Sequence, residues 1–200
     1  MTAATKEHCR FCFDVLIAHL TGKKSPADVQ AWFDTTIEYP LFVTWDKYSS
    51  RDGEPRLRGC IGNFSPMELT SGLREYALTS ALHDTRFRPI RLKEVSFLSC
   101  TVSLLTDFEK TKDCMDWEVG KHGVWIEFKD DRGERRTATF LPQVAVEQGW
   151  SKVETIDHLL RKGGYHGMID EHVYESISLT RYQSQKAELS YDDYEAMGSE

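Results

Sequence analysis

Short strand-like runs tied by tight polar turns limit this chain more than any other feature. Runs 41–48 and 57–64 are rich in β-branched and aromatic residues, and the connection 49–55 between them contains Asp52-Gly53. Runs 124–129 and 135–140 flank the turn 130–133 in the same way, and 95–106 and 174–182 have strand character. Turns this short join antiparallel neighbours, because a parallel pair needs a crossover of about a dozen residues or more. A doubly wound parallel sheet is therefore excluded.

Helices are announced by their capping chemistry. Ser25-Pro26-Ala27-Asp28, Ser65-Pro66-Met67-Glu68 and Ser151-Lys152-Val153-Glu154 each place a hydroxyl before a helical pattern and a carboxylate three residues later. Pro at the first helical position suits the first two. Apolar residues at helical spacing follow each start, as in Leu69, Leu73, Tyr76 and Ala77. An earlier helix over about 5–20 puts Cys9, Cys12, Phe13 and Leu16 on one face. The combination predicts an α+β fold, antiparallel sheets with flanking helices.

At 200 residues the chain suits one compact domain or two interlocked lobes. The expected organisation is a single domain over 1–186 and a mobile acidic tail over 187–200. That tail carries Glu188, Asp192, Asp193, Glu195 and Glu200 and no Lys or Arg, so the net charge of −7 falls to −2 without it. A nearly neutral body argues against bulk attraction to nucleic acid or membrane, so any anion site must be local. No apolar run is long enough to cross a bilayer. Five sparse cysteines suggest free thiols in a reducing, intracellular setting.

Three clusters could carry chemistry. The densest is Arg56-Leu57-Arg58-Gly59-Cys60-Ile61-Gly62-Asn63-Phe64, where two glycines flank a thiol. Glycine inside a strand marks a close approach, by a ligand or by packing. Arg58 and a following helix N-terminus would lower the Cys60 pKa; the alternative is an inert, buried Cys60. The second cluster, 83–93, is cationic, and Asp84 and Arg86 form a pair whose guanidinium fork would remain free for an anion. In the third, Gln143 stands at a strand end after Pro142. His83 and His122 are candidate bases. Cys9 and Cys12 read as core and not as a metal site, and no cofactor is expected. Neither a GxGxxG, a Walker loop, a Gly-x-Ser-x-Gly elbow nor an HExxH occurs.

Leu57-Arg58-Gly59-Cys60-Ile61-Gly62 matches the six-residue signature of the AMMECR domain family, named for the chromosomal region of Alport syndrome, midface hypoplasia and elliptocytosis. Asp84-Thr85-Arg86-Phe87, Thr137-Ala138-Thr139-Phe140-Leu141-Pro142 and Leu159-Leu160-Arg161-Lys162-Gly163-Gly164-Tyr165 also resemble family segments, in family order. The resemblance spans about 9–194 and is closest to the animal members. It implies two unequal lobes with a cleft at the signature, and a nuclear or cytoplasmic location.

Two functions follow as alternatives. One is a regulatory or adaptor domain that binds a protein partner or a small anionic ligand in the cleft. There Arg58, Gly59, Gly62, Asn63, Asp84, Arg86 and Gln143 are the candidate ligand-binding residues. The other is an enzyme acting on a small anionic substrate, with Cys60 as nucleophile.

Overall fold

The computed structural model describes residues 4–24, 37–49 and 53–198. The Ser25 helix start and Asp52 lie outside them. The chain divides into two compact units, one built from Met1–Leu104 with Gln185–Glu200, the other from Leu105–Ser184.

In the first unit, helix α1 (Lys6–Thr21) buries Cys9, Cys12, Phe13 and Leu16, and stops at Gly22, whose positive φ of 67° suits a residue without Cβ. Strands β1 (Glu38–Tyr48) and β2 (Pro55–Glu68) pair antiparallel, with Tyr48 opposite Pro55, as the hairpin reading requires. β1 pairs on its other side with β3 (Leu98–Lys110), also antiparallel. Alternation along β1 sends Leu41, Val43 and Trp45 into the core. Trp45 meets Phe13 edge-on at 5.0 Å and donates its indole N–H to Ala77 O at 3.0 Å on helix α2 (Leu69–Leu82). Each large apolar side chain buried in this way contributes about 1.5–3 kcal/mol.

Ser65 does not start α2. Its amide donates to Asn63 Oδ1, and β2 runs on through Pro66 and Met67. Glu68 is the cap: its two carboxylate oxygens accept from Thr70 N at 2.8 Å and Ser71 N at 2.7 Å. A carboxylate satisfies two orphan amides where a hydroxyl satisfies one, which explains the later start. The expected strand over 95–106 also begins late, because Leu92–Phe97 forms a 3-10 helix with Glu94 in its first turn.

The second unit contains β4 (Gly123–Lys129) paired antiparallel with β5 (Arg135–Phe140) and with β6 (Ser178–Ser190). Helices α3 (Pro142–Gln148) and α4 (Lys152–Lys162) follow β5, and α4 has the capping box expected of Ser151 and Glu154. Trp117, Ile126, Phe128, Leu159 and Leu160 share its core. Residues 174–176 are not strand but the end of helix α5 (Glu171–Ser176), which Asp170 caps through Val173 N. β3 and β6 each run from one unit into the other, crossing at 104/105 and 184/185.

The acidic end differs from a mobile tail. Residues 187–190 finish β6 and bury Leu189, and Tyr191–Met197 form helix α6. Tyr194 stacks on Phe13 at 4.9 Å and donates its hydroxyl to Asp14 at 2.6 Å. Aromatic residues interleaved with the acids let the segment pack despite its charge.

Candidate functional site

The signature lies on β2, which ends the hydrogen-bonded strand order. Gly59 faces α2: a Cβ built there would stand 2.0 Å from Ser80 O. At Gly62 a Cβ would stand 2.2 Å from Leu41 O. Both glycines are thus fitted to neighbouring backbone. Asn63 is engaged locally, by Ser65 N.

Cys60 is half-buried. Its Sγ accepts a hydrogen bond from Thr44 Oγ1 at 3.1 Å. Burial pushes the thiol pKa up, against the smaller downward influences of Thr44 and Arg86. This departs from the expected positive field, because Arg58 is paired elsewhere and α2 starts nine positions later.

Asp84 and Arg86 do pair, and the pair serves the strand. Asp84, buried, accepts from Cys60 N at 2.9 Å through Oδ2. Arg86 donates Nε to Oδ1 at 2.9 Å, Nη2 to Oδ2 at 2.7 Å, and Nη2 also to Cys60 O at 3.2 Å. The two side chains therefore satisfy both backbone groups of Cys60 on the side away from β1, as a further strand would. The guanidinium hydrogen bonds hold the Asp84 carboxyl well below the usual carboxylate range, although burial opposes them. The expected free fork is thus mostly spent.

Arg58 belongs to a different constellation. Glu94 receives Arg58 Nε at 3.3 Å, Arg58 Nη2 at 3.4 Å, Lys47 Nζ at 2.8 Å and the Arg91 amide at 3.0 Å. Partial burial works upward on Glu94, but the bonds from Lys47 and Arg58 outweigh it and lower its pKa to about 2. A pocket of about 480 Å³ opens here, lined by Lys47, Arg56, Arg58 and Lys93, by Tyr48, Leu57 and Phe97, and by Glu94, the one carboxylate among the described lining residues. Antiparallel register sets Lys47 directly opposite Arg56. Sequence reading placed Arg56 in the signature cluster and Lys93 in the cationic one but missed Lys47, Glu94 and Phe97. Counting outward from a 49–55 turn sets Lys47 opposite Leu57; the Lys47–Arg56 pair follows only because Pro55 is already the first residue of β2.

A depressed folded pKa means that Glu94 contributes stability in full above its unfolded value of about 4.3, and loses it as pH falls towards 2. The contribution is on the order of 3 kcal/mol. Asp14 and Asp46, raised by burial, act in the opposite sense. Urea unfolding should therefore show a steep fall in stability between pH 4.5 and 2. Glu94→Gln should flatten that fall and lower stability at pH 7; an unchanged acid limb would refute the assignment.

His83 is exposed at the end of α2. His122 and Gln143 belong to the second unit. His122 Nδ1 accepts from Glu118 N at 2.9 Å, and burial lowers its pKa. Gln143 lies on α3, its Oε1 buried without a hydrogen-bond partner among the described residues. Cys9 and Cys12 are core residues, and no group of metal-ligating side chains occurs among the described residues.

The AMMECR1 family model matches residues 9–187. An uncharacterised Arabidopsis thaliana protein is 49% identical over 97% of this chain and 89% of its own length. An uncharacterised Schizosaccharomyces pombe protein is 41% identical over 94% of each. The crystal structure of an uncharacterised Pyrococcus horikoshii protein superposes with a TM-score of 0.71 at 27% identity, over 90% of this chain and 89% of that one. These relatives come from a plant, a yeast and an archaeon, a wider spread than the affinity to animal members expected from the segments. With the signature on β2 and a family match over most of its length, the chain belongs to the AMMECR1 family.

Proposed function

We propose that the protein is a binding domain, a regulatory or adaptor protein of the nucleus or cytoplasm whose pocket at Arg58 takes an acidic segment of a protein partner. The observation that carries this reading is the clustering of Lys47, Arg56, Arg58 and Lys93 around one carboxylate that is already fully engaged. Like charges set directly opposite on paired strands cost stability, so Lys47 and Arg56 are better satisfied when an anion lies between them. Leu57 and Phe97, 41% and 40% exposed, offer apolar contact beside the charge. In this reading Gly59, Gly62, Asn63, Asp84 and Arg86 hold the strand that presents Arg58. Free thiols at all five cysteines fit a reducing compartment.

The enzyme reading has less support. A thiol whose pKa is raised holds little thiolate at neutral pH, and the thiolate is the nucleophile. The test is fluorescence anisotropy with a labelled peptide of Asp and Glu containing one Leu and one Phe. Binding should weaken with salt, fall at least tenfold in Arg56→Glu/Lys93→Glu, and persist in Cys60→Ser. Binding unchanged by the charge reversal would sink the proposal. Rapid alkylation of Cys60 by iodoacetamide at pH 7 would return the enzyme to first place.

A further inference from the structure

The outward face of the second unit's sheet breaks two rules of strand packing at one place. Register sets Lys129 of β4 directly opposite Arg135 of β5, a like-charge pair whose Cβ atoms stand about 5 Å apart. Neither makes an ion pair among the described residues, whereas Arg136 is held by Asp130 at 2.9 Å and by Glu134. Two residues along the same face, Glu127 lies opposite Thr137 on one side and Ser178 of β6 on the other. Ser178 Oγ is buried with no hydrogen-bond partner among the described residues. An unmet buried hydroxyl and an uncompensated cation pair each cost stability, and proteins retain such costs chiefly where they serve a site.

Both features line one cavity of about 620 Å³, together with Lys110 from the end of β3. Lys110, Lys129 and Arg135, which make no ion pair among the described residues, line it with Ser178, and Glu127 is the one carboxylate among the described lining residues. The volume falls within the usual range for small-molecule sites and is far larger than a single tetrahedral oxyanion needs. The second unit supplies every residue of this cavity, so it is separate from the Arg58 pocket.

We infer that this cavity binds a phosphate-bearing small molecule, with Lys129, Arg135 and Lys110 around the phosphate and Ser178 Oγ donating to it. A dianion suits three separate cations better than a single carboxylate, which one guanidinium satisfies in bidentate fashion. Glu127 disfavours binding at its own edge and turns the neutral, hydroxylated part of the ligand towards itself, where it accepts hydrogen bonds.

The test is an amide NMR titration of the full chain, at fixed ionic strength, with inorganic phosphate and with ribose 5-phosphate. Both should give saturable shifts centred on Lys110, Lys129, Arg135 and Ser178, the phosphomonoester binding at least tenfold tighter. Ser178→Ala should weaken ribose 5-phosphate about tenfold while leaving the melting temperature unchanged or higher, since it removes an unmet hydroxyl. Lys129→Gln/Arg135→Gln should abolish saturation, and Glu127→Gln should tighten inorganic phosphate severalfold. Arg58-pocket reversal at Arg56 and Lys93 should change none of these constants. Shifts that do not saturate, or a Ser178→Ala variant that binds as well as the parent, would overturn the inference. So would equal affinity for the two probes, which would mark a surface ion site and not a small-molecule cavity.

Discussion

Gly59→Ala is expected to destabilise the protein by about 3 kcal/mol or more, near the upper end of what overpacking costs. The added Cβ would meet Ser80 O at 2.0 Å, and that atom is helix backbone, which has no rotamer into which to retreat. α2 would have to move off the sheet, disturbing the hydrogen bond from Trp45 to Ala77 O and the burial of Leu69 and Leu73. Gly133→Ala is the control. Gly133 has a positive φ of 80° but nothing within 4 Å of a built Cβ, so its cost is backbone strain alone, about 1 kcal/mol. Urea midpoints for the two variants separate contact from conformation. A Gly59→Ala midpoint no lower than that of Gly133→Ala would mean that α2 is not seated as described.

Asp84→Ala should cost about 2–4 kcal/mol, because it strips a buried strand amide of its acceptor and leaves Arg86 unpaired. Asp84→Asn retains an acceptor for Cys60 N but loses the charge that holds the guanidinium, so it should fall between the two. Arg86 is 55% exposed at its side chain and solvates readily when released, so Arg86→Ala should cost only about 1 kcal/mol. Thermal or urea unfolding of the three variants tests the order. If Arg86→Ala matched Asp84→Ala, the ion pair itself, and not the Cys60 amide, would be the stabilising element. Loss of Asp84 also bares the backbone of β2 on its outer side, so concentration-dependent association should accompany the loss of stability.

The sheet hairpins were legible because turn chemistry and alternation act over a few residues: Asp130 to Gly133 forms its turn where the sequence places it, with Asp130 Oδ1 accepting from Arg132 N and Glu134 N. Ser151 and Glu154 were legible for the same reason. Ser65 was misleading because a local cap signal competes with tertiary pairing, and Met67 opposite Tyr39 continues the ladder through it. The pairing of Asp84 with Arg86 was visible from spacing, but its purpose was not, since Cys60 lies 24 residues upstream and meets them only in the fold. Glu94 was invisible as a hub because its partners Lys47 and Arg58 come from two strands distant in sequence from its own 3-10 helix. The thiol environment of Cys60 stayed open between an activated and an inert, buried thiol for a similar reason, since burial is a property of the assembled sheet.

Unit one takes its residues from both ends of the chain, whereas unit two is continuous from Leu105 to Ser184. Chain order therefore becomes order in time. A ribosome has completed the whole of unit two while α1, already long made, still lacks Ala187 O for the Cys9 thiol, the Tyr194 ring for Phe13 and Tyr194 Oη for Asp14. At about 5–20 residues per second the stretch from Gln185 to Met197 takes a few seconds at most, but the segments before Leu104 have waited several times longer with part of their apolar surface uncovered. Residues 187–197 thus work as a latch that closes on α1 after unit two is made, and nascent chains arrested near residue 186 are the species most exposed to chaperones and proteases.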